Sequence, residues 1–185
     1  MGDGDCGEAV EGMCKGVLAR LDAGLCQSGA LFHILDEVEA AVEEIGGTLG
    51  AIISIILASY TSQLRLAVAK EGEGLEVDVK RSGQAAGQAL KNLMGYTSAR
   101  QGGRTVMDAL IPFCERLEGE ADLGRAVEAA EKGAESTRGM KATFGRAAYV
   151  GEQGAETQQD APPDPGAMAA AILLRGFLDG MGTKQ

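Results

Sequence analysis

Apolar side chains recur every three or four residues along almost the whole of this chain, and that spacing admits helices and little else. Over residues 9–21 they fall at Val10, Met13, Cys14, Val17, Leu18 and Leu21, the stripe that one face of an α-helix presents. A second stripe, Leu31, Ile34, Leu35, Val38, Val42 and Ile45, follows Ser28 as cap and stops at Gly46-Gly47. Thr48 is placed to cap a third helix, apolar on most sides over 49–57, as a helix in the middle of a bundle would be. Further helices are expected over about 77–94, 105–117 and 121 to about 144. The last, 165–181, opens with Pro165 in its first turn behind Asp164 as cap. The few β-branched clusters sit inside these stripes, so no strand is expected. The gaps at 71–75, 95–103 and 145–163 are neither long nor apolar enough to separate domains. Residues 1–185 therefore read as one all-α domain, an antiparallel up-down bundle of seven helices.

Composition narrows what such a bundle can do. The chain is 45% hydrophobic but only 4% aromatic, with no Trp, so its core must be built from Ala, Leu, Ile, Val and Met. Twenty-eight glycines against four prolines fit many helix ends better than a disordered linker. A net charge of −10, with no basic stripe or interleaved aromatics, argues against nucleic acid and against an anionic membrane surface. The longest apolar run, 49–59, is too short to span a bilayer, and no cleavable leader is expected. Cys6, Cys14, Cys26 and Cys114 follow no metal or disulfide spacing. Reduced thiols in a cytoplasmic compartment are the simplest expectation.

Four glycine-marked junctions each lie just before a helix: Gly2 to Gly7, Gly46 to Gly50, Gly102 to Asp108, and Asp164 to Ala167. A helix start exposes unpaired N–H groups and a partial positive charge, so it receives phosphate readily. Counted as the starts of the first, third, fifth and seventh helices, all four would share one rim of an up-down bundle. Plain turns and caps explain any one of them as well. The first junction, GDGDCG over 2–7, also spells G-x-G-x-x-G, but no strand precedes it and Asp3 and Asp5 would repel a pyrophosphate. Divalent cations lying between carboxylate and phosphate remove that repulsion, since Mg²⁺ prefers hard oxygen ligands on both sides. A Ca²⁺ loop fails because Cys14 stands where a bidentate Glu is required, while a solvated Gly/Asp turn stays open. His33 lies off the apolar stripe and has no partner at catalytic or metal spacing, so it is expected at the surface. Ser28, Ser59 and Ser62 lack a His/Asp pairing, and no P-loop motif occurs.

These junctions resemble the nucleotide-binding L-type domain of dihydroxyacetone kinase over nearly the whole chain. GDGDCG is similar to that family's metal loop in its eukaryotic form, GGTLGAI to GG-[ST]-S-GA, and GGRTVMDAL to G-D-[RK]-T-M-x-D-x-L. GRAAYVGE resembles GRA-[ST]-Y-x-G-E, and DPGAMAAAILLRGFL resembles DPGA followed by an apolar helix; the wording is closest to fungal members. The resemblance implies a barrel of eight antiparallel helices holding ATP and two Mg²⁺ ions at one end. Asp3 and Asp5 would be metal ligands. Cys6, Gly7, Thr48 and Leu49 would offer backbone groups to phosphate, and Gly95, Thr105, Val106, Arg146, Asp164, Pro165 and Gly166 would make further nucleotide contacts. In the family the γ-phosphoryl passes to dihydroxyacetone held on a histidine of a separate substrate domain.

The chain also departs from that pattern. A third metal-binding Asp, expected five residues before the position of Asp3, is not present, nor is the helix that would carry it; seven helices stand against eight. No substrate domain is expected within residues 1–185, and His33 is not expected to replace its histidine. Leu49 replaces a Ser and Gly103 an acidic residue. The resemblance thus implies an ATP·Mg phosphotransfer module that is active only with a substrate domain, in cis or in trans, with a homodimer formed through the longer parent. The other readings are an ADP-holding regulatory adaptor and an inactive fragment with an apolar groove left exposed where the helix is missing.

Overall fold

The computed structural model describes residues 6–44, 46–72, 74–144 and 162–182. Asp3, Asp5 and Arg146, expected at the functional site, lie outside them. Among the described residues the chain forms seven α-helices and no strand: α1 (Cys6–Asp22), α2 (Leu31–Glu43), α3 (Gly47–Glu71), α4 (Val79–Tyr96), α5 (Met107–Glu120), α6 (Leu123–Ser136) and α7 (Pro165–Gly182). A single 3₁₀ turn, Leu25–Ser28, joins α1 to α2.

Each helix packs on the next in sequence, and α1 returns to pack beside α7. Side-chain pairings set the directions. Arg20 of α1 meets Glu37 of α2, while a Cβ on Gly16, four residues earlier, would lie 3.6 Å from that of Ala41, four residues later. α3 begins only a few residues after α2 and packs back along it, where Arg65 meets Asp36. Glu71 at the end of α3 meets Arg81 at the start of α4, and Ser59 further back meets Asn92 further on. Gly83 near the start of α4 lies against Leu117 near the end of α5. Glu120 at the end of α5 meets Arg125 at the start of α6, while Asp108 at the start of α5 lies against Gly133 late in α6. Thr137 after α6 meets Asp164 before α7, while Glu131 further back meets Arg175 further on. Every consecutive pair is therefore antiparallel, so α1, α3, α5 and α7 all begin at one end. The expected up-down architecture is the observed one.

The core is aliphatic and centred on α5, whose Met107, Ala109, Leu110, Ile111, Phe113, Cys114 and Leu117 are buried. Small residues on its neighbours let backbones close in. A Cβ at Gly83 of α4 would lie 2.4 Å from the Leu117 carbonyl oxygen, and one at Gly133 of α6 would lie 2.0 Å from that of Asp108. Pro112 stands four residues after Asp108 and has no N–H to give that carbonyl. Gly133 packs against the oxygen left without its helical donor.

Several boundaries differ from the sequence expectation for local reasons. Thr48 does not cap α3. The cap position is Gly46, which has no side-chain cap bond, and Thr48 lies within the first turn. The helix then runs on to Glu71, well past 57, because no Gly or Pro interrupts it between Gly50 and Gly72. At this length α3 is long and apolar enough to cross a membrane by length and composition alone, a test that the core helix of a bundle passes as well. Its Leu49, Ile52, Ile55, Ile56 and Tyr60 pack against the bundle core. Ala30, rather than Ser28, occupies the cap position of α2; the Ser28 hydroxyl accepts the Ala30 N–H at 3.3 Å. Asp78 and Asp122 accept the N–H of Arg81 (2.8 Å) and Arg125 (3.0 Å) and so fix the starts of α4 and α6. α6 ends at Ser136, far short of 144. There the Ser136 and Thr137 hydroxyls donate to the Gly133 and Ala134 carbonyls (2.7 and 2.6 Å), and Gly139 turns the chain at φ 72°.

Candidate functional site

The end of the bundle where the odd-numbered helices begin carries the expected site residues that lie within the described chain. Cys6 and Gly7 open α1, and Thr48 and Leu49 stand in the first turn of α3. Gly95 does not lie in a connection, as expected, but in the last turn of α4, which ends at this same rim. Thr105 and Val106 lead into α5, and Asp164, Pro165 and Gly166 open α7. Cys6, Leu49, Thr105 and Gly166 are half-buried, Gly7, Thr48, Gly95 and Pro165 exposed, and Val106 and Asp164 buried.

The starts of α5 and α7 are in direct contact. The Arg104 guanidinium donates to the Pro162 carbonyl at 2.9 Å, and a Cβ on Gly166 would lie 3.6 Å from that of Val106. The backbone N–H of Asp164 donates at 2.7 Å to the hydroxyl of Thr137, a side chain fully buried at the end of α6. Thr143 closes over the loop, donating its N–H to the Gly103 carbonyl at 3.3 Å. The starts of α1 and α3 share this end through the topology, and Leu49 packs against the core.

The helix starts at the rim differ in what they leave open. Asp164 accepts the Ala167 N–H at 2.8 Å, as expected of a cap, and also hydrogen-bonds Gly166. Burial raises its carboxyl above the ordinary range, a shift opposed by the Ala167 N–H and Arg104 and reinforced by Asp108. The first N–H groups of α7 are thereby taken by the chain's own carboxylate. At α5 the Thr105 N–H donates to Asp108 Oδ2 at 2.8 Å, while Thr105 Oγ1 accepts the Met107 N–H at 3.2 Å. At α3 Gly46 has no side chain with which to cap, so the cap position makes no side-chain bond to the first turn. Among the described residues, side chains accept from N–H groups at the starts of α5 and α7, and none does so from the cap position of α3.

Other groups do not enter the site. His33 is exposed on α2, as expected. Cys14, Cys26 and Cys114 are free thiols, and burial pushes that of Cys114 up to about 12. Among the described residues no three His, Cys, Asp or Glu side chains gather for a metal ion.

Sequence reasoning missed Asp108 and Thr137, both fully buried. Asp108 carried a signal, because Thr105-Val106-Met107-Asp108 has the S/T-x-x-acid form of a capping box. Thr137 carried none, since its partner Asp164 comes to it through the fold.

Comparison with known proteins accounts for this architecture. The model of the DAK2 domain matches residues 1–179. The chain is 38% identical to the dihydroxyacetone kinase of Pichia angusta, over 96% of its own length and 30% of that protein's. It is 35% identical to dihydroxyacetone kinase 1 of Saccharomyces cerevisiae, over 95% of its own length and 29% of that protein's. With the triokinase/FMN cyclase of Rattus norvegicus it shares 30% identity, over 99% of its length and 31% of that protein's. The chain thus spans about three tenths of the length of these relatives. In fold it is similar to the dihydroxyacetone kinase of C. freundii, with a TM-score of 0.72 at 22% identity over 97% of this chain and 29% of that one. The same enzyme in complex with AMP-PNP and Mg²⁺ gives 0.68, with the same identity and coverage. The matched model, the fungal relatives and the all-helical architecture agree: this chain belongs to the DAK2 domain family.

Proposed function

We propose that this chain is the nucleotide-binding phosphotransfer module of a dihydroxyacetone kinase. It holds ATP with Mg²⁺ at the rim where α1, α3, α5 and α7 begin, and passes the γ-phosphoryl to dihydroxyacetone or glyceraldehyde seated on a separate substrate domain. The observation that carries this reading is the antiparallel order of the helices, which gathers four glycine-marked starts at one end, where α3 begins at Gly46 without a side-chain cap. The N–H groups of a helix start suit phosphate oxygens. The fold is shared with an enzyme whose structure holds AMP-PNP and Mg²⁺, and the named kinase relatives support the reaction class.

Within this reading, Thr48, Leu49, Cys6 and Gly7 present backbone donors to the phosphates, and Arg146 adds a cation to the same ligand. Thr105 and Val106 bound the nucleotide from α5. Asp164, Pro165 and Gly166 form a rigid wall, because their own N–H groups are already paired and Pro165 has none. Asp3 and Asp5 are the proposed ligands for two Mg²⁺ ions. When bound, Mg²⁺ neutralises charge on the phosphates and on the phosphoryl group in flight. On a chain of net charge −10, a polyphosphate needs that neutralisation. No side chain here serves as nucleophile or base; the chain contributes positioning and donors. The substrate domain supplies the acceptor hydroxyl, in cis in a longer parent, which then dimerises, or in trans. A cytoplasmic location follows from this reading.

Calorimetric titration with ATP tests it. Binding is expected with Mg²⁺ present and weaker by at least about tenfold for Asp3→Asn/Asp5→Asn, about 1.4 kcal/mol or more. Wild-type protein that fails to bind ATP in the presence of Mg²⁺ would overturn the reading.

A further inference from the structure

The loop that leads into α5 is held by one buried carboxylate. Asp108 is wholly inaccessible to solvent, and its two oxygens point back along the chain to different amides. Oδ2 accepts the Thr105 N–H at 2.8 Å, and Oδ1 accepts the N–H of Gly102, six residues earlier. A capping box needs only the first of these bonds. The second draws Gly102, Gly103 and Arg104 into a closed ring above the helix start. Inside that ring Gly102 has φ +88° and Arg104 φ +57°, backbone that an unrestrained chain visits seldom. The ring presents Thr105 and Val106 at the rim and carries the Arg104 guanidinium to the Pro162 carbonyl beside α7.

We infer that Asp108 is a positioning residue for nucleotide binding. Its carboxylate holds the 102–105 loop in the single conformation that sets Thr105 and Val106 at the rim. It touches no ligand itself. This rests on the nucleotide reading above and adds to it a residue the site cannot dispense with. The physical reason is a population argument. A ligand that binds one loop conformation loses apparent affinity in proportion to the fraction of molecules holding it. An amide side chain offers one good acceptor where the carboxylate offers two, so Asp108→Asn can retain one of the two bonds only.

The measurement is ATP affinity with Mg²⁺, read by calorimetry well below the unfolding midpoint, together with amide hydrogen exchange across the chain. Asp122→Asn is the control. Asp122 caps α6 with the same kind of bond to a backbone N–H, but at the opposite end of the bundle. Asp108→Asn is expected to lose roughly tenfold in affinity and to lose protection at Gly102 and Thr105. Asp122→Asn should bind as wild type even where its stability has fallen. Gly102→Ala perturbs the same ring without touching the buried carboxylate. An added Cβ there meets nothing within 4 Å, so its effect comes from the positive φ alone. A several-fold loss is expected, and this variant decides the matter if Asp108→Asn does not fold. Wild type that binds while Asp108→Asn, or Gly102→Ala in its stead, binds equally well would overturn the positioning role alone. So would a loss in Asp122→Asn as large as that in Asp108→Asn. Wild type that does not bind would overturn the nucleotide reading, and this inference with it.

Discussion

Burial holds the Asp164 carboxyl above its ordinary value of 3.8, against the pull of the Ala167 N–H and Arg104. An acid whose value is raised on folding binds its proton more tightly in the native state. Its contribution to stability is therefore fully present below the unfolded value and is lost as pH rises through the folded one. Asp164→Asn keeps an acceptor for the Ala167 N–H and removes the titration. Urea unfolding at a series of values from about pH 3 to about pH 7 should show the Asn variant gaining on wild type as pH rises. A gap that stays constant or narrows would contradict the assignment of burial as the dominant cause. The same scale shows why the cap at Asp164 was legible in advance, as was the capping-box half of Asp108, whereas the bond from Gly102 to Asp108 was not. Asp164 precedes Pro165 at the opening of an apolar stripe, a local pattern. Asp108 does its work through an amide six residues back, which depends on how the loop folds.

Among the elements, α5 governs the packing, and two glycines test how. At Gly133 of α6 a methyl group would meet the Asp108 carbonyl oxygen at 2.0 Å and Pro112 Cγ at 3.0 Å. Backbone cannot yield as a flexible side chain can, so Gly133→Ala should cost about 1–3 kcal/mol. Gly119, in the last turn of α5, is exposed, and a Cβ there meets nothing within 4 Å. Gly119→Ala should be neutral or gain up to about 1 kcal/mol, from lower entropy in the unfolded chain. Chemical denaturation of both variants measures the pair, and equal effects would contradict the close approach of α5 and α6. Helix number and phase were legible because apolar spacing survives in one dimension. Helix ends were less so. α3 continues through the polar stretch Thr61-Ser62-Gln63 because nothing there breaks it, whereas α6 stops where Ser136 and Thr137 turn their hydroxyls onto its carbonyls. The glycines at 83 and 133 read as turn formers or weak points in a helix, and only the packed structure gives them a purpose.

For the whole molecule, the alternation of direction from α1 to α7 divides the bundle into unlike ends. One carries the starts of α1, α3, α5 and α7. The other carries the starts of α2, α4 and α6, with Asp78 and Asp122 closing the last two. Count and order of helices made that division legible from sequence; the contact between the α5 and α7 starts, through Arg104 and Pro162, was not. α1 and α7, the pair that closes the ring, keep Leu18, Ile172, Phe177 and Met181 exposed. The chain spans about three tenths of its kinase relatives, so the proposed transfer to a triose needs a domain beyond these residues. The proposed nucleotide binding draws only on residues of this chain, so it can be tested on the chain alone. Backbone amide shifts recorded while ATP and Mg²⁺ are added test it most directly. The account predicts that the perturbed amides cluster at Gly7, Thr48, Leu49, Thr105, Val106 and Gly166, with Leu31, Arg81 and Arg125 at the far end unmoved. Shifts gathered at the far end, or spread evenly over both, would contradict it.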